Sequence, residues 1–119
     1  MRDNPGFPQA IDIDHLDRQT FGDNLLAREL LGLLAQQCTL LSPAIRGEVA
    51  GASPADAAHT LKGGARGVGA LHLAAVTERI EALLEAGEPR SALGPLCREL
   101  DEAVAAFRAE IARLYPLPL

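Results

Sequence analysis

Aromatic residues are scarce in this chain of 119 residues, which contains three Phe, one Tyr and no Trp. Runs of β-branched residues long enough for a strand are also missing, whereas Ala and Leu, which favour helices, are abundant. No apolar run reaches the roughly 18 residues that a membrane-spanning helix needs. We therefore expect an all-α domain that does not cross a membrane.

Positive charge is also in short supply, since 11 Lys and Arg stand against 16 Asp and Glu, for a net charge of -5. An acidic chain is a poor non-specific binder of nucleic acid or of anionic lipid, so we expect neither partner. The two cysteines, Cys38 and Cys97, lack the Cys-x-x-Cys spacing of a redox or metal site. They fall among helical apolar positions, which suits reduced core thiols in a cytoplasmic protein.

Apolar residues recur at steps of three and four in four long segments, which predicts four helices. We expect a short helix followed by the four long ones, over Ile11–Gln19, Asp23 to about Leu41, Ser53-Pro54 to about Val68, about Ala70–Ala86, and Leu93–Leu114. Pro43 is expected to end or kink the first long helix. Short connections predict an up-and-down four-helix bundle with an additional short N-terminal helix. The bundle would be a single domain over residues 11–114, between flexible tails at 1–10 and 115–119.

Four glycines interrupt the helix that starts at Ser53-Pro54, and they lie within seven residues: Gly63, Gly64, Gly67 and Gly69. Each interior glycine costs about 1 kcal/mol relative to alanine, so some requirement must offset that cost. One requirement is close packing of two helix backbones. Another is access for a bulky partner to a helix surface without side chains. The residues alone leave both open.

One face of the same helix gathers two basic side chains around a histidine. At about 100° per residue, Lys62, Gly63 and Arg66 lie within roughly 60° of His59. Residues 57–77 contain no Asp or Glu, which predicts a local cationic patch suited to an anion. A neutral imidazole nitrogen attacks phosphoryl groups, and nearby cations would stabilise the product. A phosphoryl-accepting histidine is therefore one hypothesis, beside a solvated helix face on which the histidine has no role.

The segment Ala58-His59-Thr60-Leu61-Lys62-Gly63-Gly64-Ala65, with Gly69-Ala70 downstream, resembles the signature of histidine-containing phosphotransfer domains. Those domains are intermediates of bacterial multistep phosphorelays in two-component signal transduction. The following helix is also similar, because the family favours Leu, Leu and Glu at the positions of Leu73, Ile80 and Glu81. A looser similarity runs over residues 11–114. The resemblance implies the family's four-helix bundle with a short N-terminal helix.

The resemblance also implies a role for each matching site residue. His59 would be phosphorylated through its Nε2 atom, and Lys62 would hold the phosphoryl oxygens. Gly63, with Gly64 beside it, would give the partner access to the helix surface. Arg66 lies on the same face, but a basic residue there is not part of the family's strongest pattern. Its phosphate-stabilising role is therefore inferred from helix geometry alone.

The partners implied by the resemblance are a sensor histidine kinase and receiver domains of response regulators. The aspartate of a receiver would exchange the phosphoryl group with the histidine, and Leu25 or Leu16 would be candidates for docking. The receiver would bring Mg²⁺, so we expect no cofactor in this chain. The phosphate-loop pattern Gly-x-x-x-x-Gly-Lys-Ser/Thr is absent and no room is left for a kinase domain. We therefore expect a monomeric phosphoryl carrier and not a kinase.

Three other functions stay open, the first from the resemblance and the other two from the residues. The Lys-Gly-Gly-Ala variant at 62–65 also resembles the N-terminal phosphotransfer domain of chemotaxis-type histidine kinases, which has the same chemistry but another kinase partner. A helical module that only docks partners would not need the histidine. A metal site would use the pairs Asp12 with His15 or Asp56 with His59. We expect no metal, because Asp56 lies at a capping position and the seams of the other helices are apolar.

Overall fold

The computed structural model describes residues 10–116. Its elements in chain order are α1 (Ile13–Thr20), α2 (Asn24–Ile45), α3 (Pro54–Val68), α4 (Leu71–Glu85), a 3-10 turn (Arg90–Leu93) and α5 (Gly94–Leu114). Residues 10–116 contain no strand, so the expected all-α fold is confirmed. The flexible tails predicted for 1–10 and 115–119 lie outside the described residues, apart from Ala10, Tyr115 and Pro116.

The four long helices close into a ring. Helix α2 packs against α3 and α5, and α4 packs against the same two helices. With consecutive helices joined by short connections, this arrangement is an up-and-down four-helix bundle. Helix α1 lies at one end, where it contacts α2 and α3. Among the described helices, none is both long enough and apolar enough to span a membrane.

The core of the bundle is mainly aliphatic. Phe107 on α5 is 1% exposed and packs with fully buried side chains from the other three long helices, such as Leu31, Leu61 and Ile80. Cys38 belongs to this core as a free thiol, and burial raises the pKa of that thiol. Cys97 is a free, half-buried thiol packed against the same core. Both cysteines therefore fill space between helices, as their apolar spacing predicted.

Three helices begin where a polar side chain can cap them. The side chain of Asp23 accepts a hydrogen bond of 3.1 Å from the Leu26 N–H, and Ser53 Oγ accepts one of 3.2 Å from the Asp56 N–H. Asp12 caps α1 in the same way. Each cap satisfies one of the N–H groups that the first turn of a helix leaves without an internal partner. The starts of α2 and α3 are therefore as predicted, and α1 starts two residues later than expected.

Helix α2 does not end near Leu41, as the sequence suggested, but continues through Pro43 to Ile45. The proline lies in the last turn, where its missing N–H removes at most one helical hydrogen bond. The residues after it, Ala44 and Ile45, are 6% and 1% exposed. Burial of these two side chains stabilises the last turn and offsets the cost of the proline. A rule based only on neighbouring residues in the sequence does not include this burial.

The α3 glycines lie in different surroundings, which bear on the two explanations offered for them, close helix packing and access for a partner. A Cβ on Gly64 would lie 2.6 Å from Gln37 Oε1 and 3.2 Å from Leu34 Cδ1, so this glycine lets α2 and α3 pack closely. Gly69 ends α3 at a φ of +80°, and its carbonyl accepts a hydrogen bond of 2.7 Å from the Asp12 N–H. Gly63, in contrast, has no atom within 4 Å of an added Cβ.

Alanine substitutions at Gly63 and Gly69 should therefore change stability in opposite directions. Gly63→Ala should raise the free energy of unfolding by roughly 0.5–1 kcal/mol, because alanine favours the helix and its Cβ meets nothing within 4 Å. Gly69→Ala should lower it by more than about 1 kcal/mol. Its φ of +80° disfavours an L side chain, and the Cβ would lie 3.0 Å from the Asp12 carbonyl oxygen. Urea unfolding followed by circular dichroism measures both, and changes of the same sign would contradict the assignment.

Candidate functional site

His59 lies on the exposed face of α3, and its side chain is 69% exposed. Its Nδ1 atom lies 2.8 Å from Oε2 of Glu81 on α4. An ionised carboxylate can only accept a hydrogen bond, so this partner assigns the proton of the neutral ring to Nδ1. The lone pair that remains available is therefore on Nε2, in a ring that is largely open to solvent.

Glu81 joins two α3 side chains through one carboxylate. While Oε2 accepts the hydrogen bond from His59, Oε1 lies 2.6 Å from Nζ of Lys62. The Glu81 side chain is 10% exposed and that of Lys62 is 16% exposed. The hydrogen bond from Lys62 lowers the pKa of the Glu81 carboxyl, the bond from His59 lowers it further, and burial opposes both. The carboxylate consequently stays anionic at neutral pH and holds the imidazole in one orientation.

Arg66 lies two helical turns beyond His59, and its guanidinium forms an ion pair with Glu78 of α4. Both side chains of this pair are more than half exposed. The cationic patch predicted from residues 57–77 is therefore not free of negative charge, because α4 supplies a carboxylate for each basic side chain. The prediction that Lys62 and Arg66 contact a phosphoryl group stays a prediction, since both are paired with α4 here.

Gly63 and Gly64, which were both assigned to partner access, lie in different surroundings. Gly63 is exposed one turn after His59, and nothing lies within 4 Å of an ideal Cβ there. A Cβ on Gly64 would meet Leu34 and Gln37 of α2, so this half-buried glycine serves helix packing, while its role in partner access stays a prediction. Gly67, to which the sequence gave no access role, is as open as Gly63.

Beside the open glycines, a shallow groove of about 270 Å³ runs between α2 and α3. Three leucines and an amide line it on α2, and small or apolar residues line it on α3: Leu30, Leu33, Leu34, Gln37, Gly64, Gly67 and Val68. Helix α2 also carries exposed leucines: Leu33 is 56% exposed and Leu40 is 72% exposed. Of the two docking candidates named from the sequence, Leu25 is 75% exposed, but Leu16 is a core residue at 2%.

The two Asp-x-x-His pairs make other contacts. Asp12 caps α1, and His15 Nε2 lies 3.2 Å from the carbonyl oxygen of Gly67. Asp56 is exposed in the first turn of α3, where its N–H is capped by Ser53, and the histidine that follows it bonds to α4. Within residues 10–116 no group of three or more potential metal-binding side chains occurs.

Neither Glu81 nor Glu78 was assigned to the site from the sequence, although the link between α3 and α4 gives a signal for Glu81. Only Gly69 and Ala70 separate α3 from α4, so the two helices are antiparallel neighbours. Positions equally distant from this link then face each other. His59 and Glu81, which are 22 residues apart, each lie 11 residues from Ala70. Counting outward from the link therefore finds the carboxylate opposite the histidine.

The Glu81 contacts make a pH-dependent contribution to stability that Glu81→Gln should remove. Because folding lowers the pKa of this carboxyl, the contribution is present above the ordinary glutamate range and is lost as the pH falls through the folded value. The difference in unfolding free energy between the wild type and Glu81→Gln should therefore be largest near neutral pH and shrink in acid. Urea titrations between about pH 7 and pH 3 measure it. A difference that does not vary over this range would contradict the assignment.

The Hpt domain family matches residues 25–110 of the chain, which include every site residue described above. No curated protein matches the chain. The family match covers most of the sequence, and its helical bundle agrees with the observed fold. The resemblance found in the α3 segment is thereby confirmed. This chain belongs to the Hpt domain family, whose members act in phosphotransfer within two-component signalling.

Proposed function

We propose that this chain is a phosphoryl carrier that accepts a phosphoryl group on Nε2 of His59 and exchanges it with an aspartate of a receiver domain. The observation that carries the proposal is the 2.8 Å hydrogen bond between His59 Nδ1 and Glu81 on a ring that is 69% exposed. This bond assigns the tautomer that a nucleophilic Nε2 requires. The exposure leaves that nitrogen within reach of a docked partner.

The transfer is a displacement at phosphorus. The Nε2 lone pair of His59 attacks the phosphorus of the receiver's aspartyl phosphate, so that an N–P bond forms while the P–O bond to the aspartate breaks. The aspartate carboxylate leaves with the electron pair of that bond, and the proton on Nδ1 stays in place. The ring gains positive charge, which the adjacent Glu81 carboxylate compensates. In the reverse direction the same ring is the leaving group.

Lys62 acts in this proposal through Glu81. Its ammonium lies 2.6 Å from the carboxylate and lowers the pKa of that group, which keeps the counter-charge of the ring in place. The family pattern assigns Lys62 to the phosphoryl oxygens instead, and an ammonium with three donors can make such a contact in addition to its bond with Glu81. The two roles predict different results when both residues are changed.

The proposed docking surface is the open side of α3. Gly63 and Gly67 leave the backbone bare beside His59, and the exposed leucines Leu33 and Leu40 of α2 add apolar area. A receiver seated there would bring its aspartate to the imidazole together with Mg²⁺, which neutralises charge on the transferring oxygens when bound. This chain then contributes only the acceptor nitrogen and the groups that orient it. A sensor histidine kinase would supply phosphoryl groups to the relay.

A small phosphoryl donor tests the acceptor directly. Purified protein incubated with phosphoramidate should acquire one acid-labile phosphoryl group on His59, located by mass spectrometry without acid treatment. His59→Gln should remain folded, because the side chain is largely exposed, and should take no label. The variants His15→Gln and His72→Gln serve as matched controls and should be labelled as the wild type is. Label that survives in His59→Gln, or that divides equally among the three histidines, would overturn the proposal.

A double-mutant cycle separates the two roles of Lys62. Glu81→Gln should slow phosphoryl transfer about 10-fold or more, a change of about 1.4 kcal/mol in the barrier, because the ring loses its counter-charge. Lys62→Ala should slow it less. If Lys62 acts through Glu81, the double variant is no slower than Glu81→Gln. A double variant that is slower by the full factor of Lys62→Ala would instead show direct contact between Lys62 and the phosphoryl group.

A further inference from the structure

A second ion pair between α3 and α4 lies beside the His59 site, and the proposed phosphotransfer does not use it. Arg66 bonds to Glu78 there. We propose that Arg66 exchanges partners, so that Glu78 holds it in the unphosphorylated protein and the phosphoryl oxygens on His59 take it after transfer. Glu78 is then a competitor of the phosphoryl group for one guanidinium. This inference rests on the proposed function, because it concerns the same phosphohistidine.

The two basic residues of the face differ in how firmly they are held. Lys62 is 16% exposed and bonds to a carboxylate that is 10% exposed. Taking it away would leave Glu81 nearly buried without its strongest partner, which is costly. Arg66 and Glu78 are 57% and 56% exposed, and ion pairs in that setting contribute only about 0–1 kcal/mol. Arg66 is therefore the cation that can leave its partner with little loss.

The surface between Arg66 and His59 is bare at Gly63. Their positions in α3 differ by seven, which places them about 10 Å apart along the helix axis and about 20° apart around it. Side chains on a helix lean toward its N-terminus, so a rotamer change can carry the Arg66 guanidinium from Glu78 toward the turn that holds His59. Lys62 and Gly63 lie between them on this face: Lys62 bonds to Glu81 of α4, and at Gly63 no atom lies within 4 Å of an ideal Cβ. The guanidinium can thus approach His59 over Gly63, beside the pair of Lys62 and Glu81.

The phosphoryl group is the stronger of the two competing anions. It carries more negative charge than the Glu78 carboxylate and offers three oxygens, to which the planar guanidinium can donate two parallel hydrogen bonds. Before transfer there is no such anion, and Glu78 keeps the guanidinium on the α4 side. The exchange therefore stabilises the phosphorylated form in particular, which biases the transfer equilibrium toward the histidine.

The test measures the equilibrium fraction of phospho-His59 by ³¹P NMR at fixed concentrations of phosphoramidate and ammonium. Arg66→Ala should lower the equilibrium constant for phosphorylation about threefold to tenfold, and Glu78→Gln should raise it. Arg66→Lys should recover part of the loss, because the charge remains but the planar fork does not. In the wild type, the ¹⁵N signal of the Arg66 guanidinium should shift on phosphorylation.

The double variant distinguishes exchange from simple repulsion between Glu78 and the phosphoryl group. If Glu78 acts by holding Arg66, Glu78→Gln has no effect in the Arg66→Ala background. An equal increase in both backgrounds would overturn the exchange. The exposed pair of Arg79 and Glu99, between α4 and α5, provides matched controls, and Arg79→Ala and Glu99→Gln should leave the equilibrium constant unchanged.

The two proposals fail in different ways. A wild-type protein in which His59 takes no phosphoryl group would overturn the proposed function and, with it, the exchange of Arg66. A wild type that is labelled on His59, with Arg66→Ala no different from the Arg79→Ala control, would overturn the exchange alone.

Discussion

The arrangement of the site depends on one carboxylate, that of Glu81, which lies between His59 and Lys62. The carboxylate belongs to α4, whereas both of its partners belong to α3. Its position therefore requires a particular register between two antiparallel helices. A link of only Gly69 and Ala70 sets that register, and the positive φ of Gly69 allows the chain to reverse there. A displacement of one turn would carry Glu81 away from the imidazole, and the ring would then lack the partner that assigns its tautomer.

The glycines of α3 illustrate how a costly residue type can meet several requirements in one helix. Gly64 permits close packing with α2, and Gly69 supplies the left-handed turn before α4. Gly63 meets no neighbour at all, so packing does not explain its cost in helix stability. Under the proposed function a bare surface beside His59 would explain it, because a partner that approaches the imidazole needs room. The helix would then lose some stability at the place where the proposed partner docks.

Lys62 and Arg66 are both basic residues on one face of α3, but their ion pairs with α4 differ in burial. The carboxylate facing Lys62 is nearly buried and that facing Arg66 is exposed, although the two carboxylates are only three residues apart on α4. Burial makes the first pair a fixed part of the site, since breaking it would leave the nearly buried Glu81 carboxylate with His59 as its remaining partner. Exposure leaves the second pair free to rearrange at small cost.

Periodicity, capping residues and glycine placement were enough to predict the helices, the starts of α2 and α3, and the α3 face that carries His59. Those features depend on residues within one or two turns of each other, which is the range over which a sequence pattern acts. The persistence of α2 beyond Pro43, the burial of Leu16, the packing of Gly64 and the carboxylates opposite His59 and Arg66 were decided by tertiary structure. Each depends on a neighbour from another helix, and the contact between His59 and Glu81 spans 22 residues. Local preferences cannot report such contacts, because only the packing and register of the helices bring the side chains together.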